Sequence, residues 1–379
     1  MSFLEGFILT PQGFVRGRLD HTAGRITGLT GAPVTEAQAR HGDAALPLIL
    51  PGFIDLHVHG GAGRDTMEGG DAITTIARLH ARHGTTALLA TTMTAPLEEI
   101  HTALAAVGPA CHERPAGAAR VLGVHLEGPY INPAKLGAQP DFARTATLPE
   151  IAALHALAPI KLITLAPELP GNLALIRSLR AAGFQVQIGH TLGTYEDGVA
   201  ALEHGASGFT HLFNAMTGLH HREPGMVGAA LAHAQYAEVI PDLLHVHPGA
   251  LRVALRAIPR CYCVTDSTAA AGMPDGEYRL GRHTVRKCLG GVRLADGTLA
   301  GSTLTMDQAL RNLVHTLGLD LAEASRRVST HAANYLGLND RGRIACGAWA
   351  DLVVIDRHAL RLQRVLIEGE ELDLNDKDA

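Results

Sequence analysis

The chain has 379 residues, of which 46% are hydrophobic and 18% are charged, and its formal net charge is −5. This length is enough for one large domain with an appendage, or for two domains. The charge gives no electrostatic footprint for nucleic acid or an anionic membrane, and no apolar run reaches the ~20 residues of a membrane span. We therefore expect a globular protein with neither nucleic acid nor membrane as a partner.

The cysteines and the first residues indicate a reducing compartment. Five cysteines are odd in number and scattered, which is typical of reduced thiols rather than of a disulfide framework. Cys261 and Cys263 form a C-x-C, but without a second pair nearby strand packing is favoured over metal binding. Glu5 comes early and no basic-then-apolar signal is visible, so we expect an unprocessed, cytoplasmic protein.

Residues 1–47 read as short strands and turns without a helical period. The stretch 53–60 then reads as a short buried strand, because Pro-Gly precedes it and Gly-Gly follows it. Alternation along a strand places His57 and His59 on the same face. Two neighbouring imidazoles at a strand end suit metal binding, although two hydrogen-bonded core histidines would give the same pattern. Further ligands at equivalent places would favour the metal.

From residue 48 onward, strand patterns alternate with helical patterns that mostly end at a glycine. About eight strands are predicted, the number that a (β/α)8 barrel requires. A doubly wound sheet would also alternate, but no Gly-rich phosphate loop opens a helix after the first strand. The predicted strands are 53–57, 86–92, 121–127, 161–166, 184–190, 208–211, 237–240 and 262–266. The predicted helices are 71–83, 97–107, 148–157, 172–182, 195–204, 249–258, 305–317 and 321–328, and histidines on them, such as His80, are expected to be solvated.

The last part of the chain returns to strands, at 351–356 and 364–367, after a predicted inserted hairpin at 277–294. The predicted fold class is therefore α/β: a (β/α)8 TIM-type barrel with a small β domain built from both chain ends. The predicted domain bounds are 48–337 for the barrel, and 1–47 with 338–379 for the small β domain.

Hard-to-bury side chains follow the carboxyl ends of the predicted barrel strands, where catalytic groups of this fold lie. Buried, unpaired histidines and carboxylates are costly, and scattered core histidines would not follow the strand ends. The sequence therefore predicts a divalent metal site at this rim of the barrel. The residues in question are His57 and His59 after the first strand, His125 and Glu127 after the third, His190 after the fifth, His211 after the sixth and Asp266 after the last.

Several motifs resemble the amidohydrolase superfamily and, within it, the family of N-acetylglucosamine-6-phosphate deacetylases. The H-x-H alone marks only the superfamily, whereas the H-L-E-G-P and H-L-F-N-A-M blocks together are far more specific. The matching segments are 51–60, 125–129, 189–190, 210–216, 222–225, 244–246, 264–266, 299–302 and 347–353.

The resemblance implies Glu127, His190 and His211 as core metal ligands, with His57 and His59 serving a second ion. Some family members hold a single ion, so one or two divalent ions are expected, zinc first and iron, manganese or cobalt as alternatives. Many relatives bridge two metals with a carboxylated lysine at the end of the fourth strand. That strand has its only lysine at its start, so Glu127 would supply the bridge, which argues against a dihydroorotase or a hydantoinase.

The resemblance also implies that Asp266 is the catalytic acid and base, although a pure metal ligand or a turn aspartate would fit its position. Arg222 and His245 would contact a phosphate, where a solvated loop charge and a packed histidine are the alternatives. One departure stands out, since the family pattern has His where this chain has Gln139. The substrate site would be lined by Ala138, Asn214, Ala215, Arg222, His245, Leu299, Ala300 and Gly301.

The expected reaction is metal-dependent hydrolysis of the N-acetyl group of N-acetyl-D-glucosamine 6-phosphate, giving glucosamine 6-phosphate and acetate in amino-sugar catabolism. A divalent ion makes water a competent nucleophile, and an acid and base group must protonate the leaving amine. Alternatives are an N-acetylgalactosamine-6-phosphate deacetylase, a D-amino-acid deacylase and a silent scaffold that has lost its metal. A homodimer is expected, in which the loop of Arg222 could reach a neighbour's site.

Overall fold

The computed structural model describes residues 2–42 and 46–374. Its strands are β1 (Ser2–Thr10), β2 (Gly13–Thr22), β3 (Arg25–Pro33), β4 (Leu48–Pro51), β5 (Phe53–Val58), β6 (Gly60–Gly61), β7 (Arg64–Asp65), β8 (Thr85–Thr91), β9 (Arg120–Glu127), β10 (Ile160–Leu165), β11 (Gln185–Ile188), β12 (Gly208–Phe209), β13 (Glu238–Val239), β14 (Tyr262–Cys263), β15 (Gly276–Leu280), β16 (His283–Cys288), β17 (Gly291–Arg293), β18 (Leu352–Ile355), β19 (Leu362–Ile367) and β20 (Glu370–Glu371).

The helices are α1 (Glu36–His41), α2 (Ala72–Arg82), α3 (Leu97–His112), α4 (Leu148–Leu157), α5 (Asn172–Ala181), α6 (Tyr195–Glu203), α7 (Gly225–His233), α8 (Pro248–Ala257), α9 (Met306–Arg311), α10 (Leu321–Ser325) and α11 (His331–Tyr335). Asn312–Thr316 and Arg326–Thr330 are π-helical continuations of α9 and α10. Among the described residues, no helix combines the length and the apolar character that a bilayer span requires.

Eight parallel strands form the barrel. β5, β8, β9, β10, β11 and β12 pair in chain order, and β13 pairs with β14. The backbone N–H of Leu212 donates to Glu238 O (2.9 Å), which links the two groups of strands. A parallel bridge between Val58 and Ser267 closes the ring. Every residue of β5 and β8 is buried, as expected when side chains pack inside the barrel and helices cover its outside. The predicted barrel is confirmed.

The small β domain is a separate sheet of seven strands in the order β20-β19-β18-β4-β1-β2-β3. One face of this sheet packs a second apolar cluster that includes Ile8, Leu19 and Ile49. Because β4 lies between β1 and β18, both chain ends meet at the point where the chain enters the barrel. A small β domain built from both chain ends is therefore present as expected. Its bounds, 1–47 with 338–379, and those of the barrel, 48–337, stay a prediction.

Local sequence signals explain many of the helix starts. Thr194 caps α6 in a reciprocal capping box with Asp197, and Thr147 accepts from the backbone N–H of Glu150 at the start of α4. The predicted hairpin is instead a three-stranded antiparallel sheet, β15 to β17. It packs a small apolar cluster with Met93 and Ala300, so it lies beside the rim of the barrel.

Three expectations about the helices were wrong. α1 lies within the segment that was expected to contain no helix, and Thr35 and Gln38 form its capping box. α7 was not predicted, because a helix with apolar residues on most sides shows little amphipathic period. His80 lies on α2 as expected, but it is fully buried, and its Nε2–H donates to Gly60 O (3.1 Å) instead of meeting solvent.

Candidate active site

The predicted ligands converge at the carboxyl ends of the barrel strands. β5 presents His57, and His59 follows it on the same side, with their Nε2 atoms 3.1 Å apart. His190 follows β11 and His211 follows β12, and their Nε2 atoms are also 3.1 Å apart. The structure therefore contains two imidazole pairs, and each pair directs ring nitrogens at a common point.

The carboxylate of Glu127, at the end of β9, lies between the two pairs. Its Oε1 is 3.1 Å from Nε2 of His190 and 3.0 Å from Nε2 of His211. Its Oε2 is 3.2 Å from Nε2 of His59 and 3.5 Å from Nε2 of His57. One carboxylate thus faces both imidazole pairs, and the expected role of Glu127 as a metal ligand stays a prediction.

Asp266 lies over the pair of His57 and His59. Its Oδ1 is 3.3 Å from Nε2 of His59 and 3.5 Å from Nε2 of His57. The residue follows β14 and its φ is +49°, a left-handed conformation that Asp adopts more readily than most residues. Only 8% of Asp266 is exposed, and it lines the cavity above the cluster. Its carboxylate therefore faces both the imidazoles and the space where a substrate would bind.

The charges of the cluster compensate one another. Burial disfavours the cationic form of His57, but nearby carboxylates, that of Glu127 foremost, outweigh burial and raise the pKa of His57 well above its ordinary value. Despite its burial, hydrogen bonds to Asp266 and Glu127 raise the pKa of His59 to about 9. Burial would raise the pKa of Glu127 and Asp266, yet the neighbouring His57 keeps both below their ordinary values. A divalent cation can take the place of these protons.

The donor set fits such a cation. Glu127, His190 and His211 place one ligand atom each within 4.8 Å of one another, and so do His57, His59 and Glu127. Imidazole nitrogens with a carboxylate oxygen are ligands that zinc and related divalent ions accept. The two groups share Glu127. The structure therefore contains a cluster of His and Glu side chains that can hold a divalent metal.

Further contacts orient these ligands. Nδ1–H of His57 donates to Oε2 of Glu238 (3.0 Å), and the same oxygen accepts the backbone N–H of His211 (3.2 Å). Nδ1–H of His190 donates to Lys135 O (2.9 Å). Such partners determine which ring nitrogen is free to bind a metal. Glu238 lies within a buried strand, and its signal in the sequence is an acidic residue among apolar ones.

His125 behaves differently from the other strand-end residues. Its ring packs edge-on against His57, with centroids 4.5 Å apart, and Nε2 is 2.7 Å from the hydroxyl of Thr164. Burial, followed by the charge of His57, lowers the pKa of His125 well below its ordinary value. His125 lies outside the two ligand groups around Glu127, but with His57 and Glu238 it forms a third group whose possible ligand atoms lie within 4.8 Å of one another.

A cavity of about 430 Å³ opens above the cluster. Six of the residues expected around the substrate line it: Ala138, Asn214, Ala215, His245, Leu299 and Gly301. Ala300 is fully buried and packs against the three-stranded sheet instead. Met93 and Leu280 also line the cavity, and no motif predicted them.

Arg222 lies elsewhere in the subunit. It is exposed on the loop before α7, and its guanidinium contacts Nε2 of His221 (2.9 Å). The groove that it lines includes Tyr195 and Glu223 but no residue of the metal-ligand groups. The structure therefore does not bring Arg222 together with the cavity of its own chain, and its role in substrate binding stays a prediction.

Two further polar residues contact the predicted site residues. Gln139, where the family pattern has His, donates from Nε2 to Oε2 of Glu127 (2.6 Å). Asp242 accepts Nδ1–H of His245 (2.6 Å). Burial lowers the pKa of His245, but this hydrogen bond acts in the opposite direction and the pKa is raised overall. The sequence offered no signal for Asp242 other than its place three residues before His245.

The barrel with this rim of imidazoles and carboxylates defines the class of metal-dependent barrel hydrolases. The amidohydrolase family model matches residues 48–372, and this chain belongs to the amidohydrolase family.

Three relatives show which members of that family are similar. An N-acetylgalactosamine-6-phosphate deacetylase from Escherichia coli O157:H7 is 40% identical over 96% of this chain and 97% of its own length. An N-acetylglucosamine-6-phosphate deacetylase from Lysinibacillus sphaericus is 41% identical over 84% of both chains. A mutant of the N-acetyl-D-glucosamine-6-phosphate deacetylase from Mycobacterium smegmatis, solved in complex with N-acetyl-D-glucosamine-6-phosphate, superimposes with a TM-score of 0.88. It has 35% identity and covers 97% of this chain and 98% of its own.

Proposed function

We propose that the chain hydrolyses the N-acetyl group of N-acetyl-D-glucosamine 6-phosphate, giving glucosamine 6-phosphate and acetate, as a step of amino-sugar catabolism. The observation that supports this most is the carboxylate of Glu127 between two imidazole pairs, with Asp266 facing the same cavity. The names of relatives from Lysinibacillus sphaericus, Vibrio furnissii and Bos taurus give the substrate.

His190, His211 and Glu127 would hold one divalent ion, and His57 and His59 would hold a second one together with Glu127. Zinc suits this set of nitrogen and carboxylate donors best, with iron, manganese or cobalt as alternatives. When bound, the ion supplies a Lewis acid for the acetyl carbonyl and lowers the pKa of water toward ~7.

Asp266 would move the proton. As a carboxylate it can accept a proton from the water that attacks the acetyl carbonyl. It can then donate that proton to the nitrogen of the leaving amine, which must be protonated to depart. Its position supports both tasks, because its Oδ1 is within 3.5 Å of two ligand nitrogens and the residue also lines the cavity.

The remaining cavity residues would orient the sugar phosphate. His245 lies in the cavity wall, and its raised pKa, set against burial by the hydrogen bond to Asp242, favours the imidazolium that an anionic phosphate needs. Ala138, Ala215 and Leu299 would pack against the sugar, and Asn214 can offer a polar group to it. A concave site with a partly apolar wall and a few polar groups is typical of a small-molecule site.

Arg222 would reach the phosphate from a second subunit. It does not line the cavity of its own chain, and it lies on an exposed loop with Leu219, which is 59% exposed. A homodimer in which this loop enters the neighbour's cavity would cover that apolar surface and place a guanidinium beside the phosphate. Light scattering tests the dimer, and a fully active monomer would contradict it.

One experiment tests the proposed function. The purified chain is dialysed against a chelator, and amine release is then followed with and without added zinc, on N-acetylglucosamine 6-phosphate and on its galactosamine epimer. We expect activity on the gluco epimer that disappears with the metal and returns with zinc. Activity that survives exhaustive metal removal, or none on either sugar after zinc is restored, would refute the proposal. A preference for the galacto epimer would favour the second candidate, the activity for which the relative from Escherichia coli O157:H7 is named.

A further inference from the structure

We propose that Gln139 is a positioning residue that fixes the carboxylate of Glu127 between the two imidazole pairs and thereby stabilises the ion on the His57 and His59 side. This inference rests on the proposed metal-dependent function. Gln139 stands where the family pattern has His, and the motifs gave it no role of its own.

The amide of Gln139 makes two short hydrogen bonds in opposite directions. Its Nε2 donates to Oε2 of Glu127 (2.6 Å), and its Oε1 accepts the backbone N–H of Thr94 (2.6 Å). A backbone N–H can only donate and a carboxylate can only accept, so these partners fix which end of the amide faces which group. Gln139 lines the cavity, but only 5% of it is exposed, so little water competes for either bond.

The carboxylate needs such a contact, because the last torsion of a glutamate side chain is broad. Oε1 of Glu127 is held by His190 and His211 at 3.1 and 3.0 Å. Oε2 is farther from its imidazoles, at 3.2 Å from His59 and 3.5 Å from His57. The bond from Gln139 is the shortest one to Oε2. Gln139 therefore restrains Oε2, the oxygen of Glu127 that faces His57 and His59.

The backbone anchor explains why this restraint is rigid. Thr94 follows β8 and Glu127 ends β9, and these two strands are paired neighbours in the barrel. Gln139 therefore connects the ends of two adjacent strands through its side chain. The amide occupies one lone pair of Oε2 and leaves the other for a metal. An amide also stays uncharged over the whole working pH range, so the donor is never lost by titration.

The test replaces Gln139 with residues of similar size. Gln139→Met keeps volume without a donor, and Gln139→Glu puts an acceptor against the carboxylate. The matched control is Asn172→Leu, because Asn172 is also a buried amide, but it donates to Ala166 O (2.7 Å) away from the ligands. Zinc affinity is measured by competition with a chromophoric chelator, together with the melting temperature of each metal-free variant.

We expect the zinc affinity of Gln139→Met to fall by roughly 10- to 100-fold, as for other residues that orient metal ligands, and that of Gln139→Glu to fall at least as far. Asn172→Leu should change zinc affinity little, at a melting temperature similar to that of Gln139→Met. In a His59→Asn background, Gln139→Met should have little further effect, because the side that it supports is already weakened. In a His190→Asn background its effect should persist.

Kinetics at saturating zinc give the second readout. A positioning role predicts a lower kcat with the KM for N-acetylglucosamine 6-phosphate within about twofold of wild type. Unchanged zinc affinity, or equal losses in both histidine backgrounds, would overturn the proposal, and so would a raised KM with unchanged zinc affinity, since Gln139 would then be a substrate contact. If the zinc results hold while the wild type cleaves no acetamido sugar phosphate, the proposed function fails and this inference stands.

Discussion

The substitution Asp266→Asn isolates the proton-transfer role from the shape of the site. Asp266 has a φ of +49°, and Asn tolerates this left-handed conformation about as well as Asp. The two side chains have nearly the same volume, so the buried wall of the cavity stays filled. Asn cannot accept a proton from water or return one to an amine. The change therefore removes the acid and base function with little effect on the backbone.

The expected loss follows from that function. Positioned general acid and base catalysis contributes roughly 10²- to 10⁴-fold, so kcat should fall by this factor, which corresponds to about 3–5 kcal/mol of the activation barrier. The metal should remain bound, because Glu127 and the four imidazoles around it are unchanged. KM should change much less than kcat, since Asp266 acts on the reacting atoms and not on the phosphate.

The assay follows amine release from N-acetylglucosamine 6-phosphate, with zinc content measured on the same sample. Asp307→Asn is the matched control, because Asp307 is also 8% exposed and also faces a histidine, His83, but it lies at the start of α9. The control should retain nearly all activity. A near-normal kcat for Asp266→Asn would remove Asp266 from the mechanism, and a loss of bound zinc in proportion to activity would make it a metal ligand instead.

Three other changes give distinct outcomes. Arg222→Ala should lower kcat/KM for the phosphorylated sugar by about 10- to 100-fold, the effect of one charge-assisted hydrogen bond, and that for plain N-acetylglucosamine little; equal losses would make Arg222 structural. Mixing it with Asp266→Asn should restore activity if Arg222 acts across a dimer, and restore none if it acts within its own chain. Glu238→Gln should weaken zinc binding by roughly 10- to 100-fold, measured by chelator competition, because a neutral amide oxygen is a weaker acceptor than a carboxylate for Nδ1–H of His57. His80→Gln tests pH dependence: burial lowers the pKa of His80 to about 4, so between pH 6.5 and 4 the unfolded chain binds the proton and the folded chain does not. Metal-free wild type should therefore lose up to ~3 kcal/mol of unfolding free energy from this group as the pH falls through that range. Urea titrations at several pH values measure this free energy, which should fall less steeply with decreasing pH in His80→Gln than in wild type.

Most of the architecture was accessible from the pattern of the sequence. All eight predicted barrel strands overlap strands of the structure, because parallel strands buried on both faces give apolar runs bounded by turn residues. The seven-stranded sheet of both chain ends also matches the expected small β domain. Helix α7 was missed because it is apolar on most sides. α1 was missed because six residues give too short a window for a period.

The site was predictable where a residue's role depends on its place at a strand end. His57, His59, Glu127, His190 and His211 meet as predicted, since the ends of parallel strands converge at one rim. Partners that reach the cluster from loops were not predictable in the same way. The contact of Gln139 with Glu127 depends on the path of the loop after β9, which is irregular and has no period to read.

The backbone at the strand ends explains how these side chains turn toward one point. His190, His211 and Asp266 have φ values of +48°, +27° and +49°. A residue in this conformation breaks the alternation of a strand, so its side chain need not continue the inward or outward register of the residues before it. His, Asp and Asn are the non-glycine residues that adopt positive φ most readily, and two of these residue types are also good metal ligands or proton carriers. The residues that suit the chemistry of this rim are therefore also those that can end a barrel strand in this conformation. For this reason a substitution such as His211→Val should cost folding stability as well as metal binding.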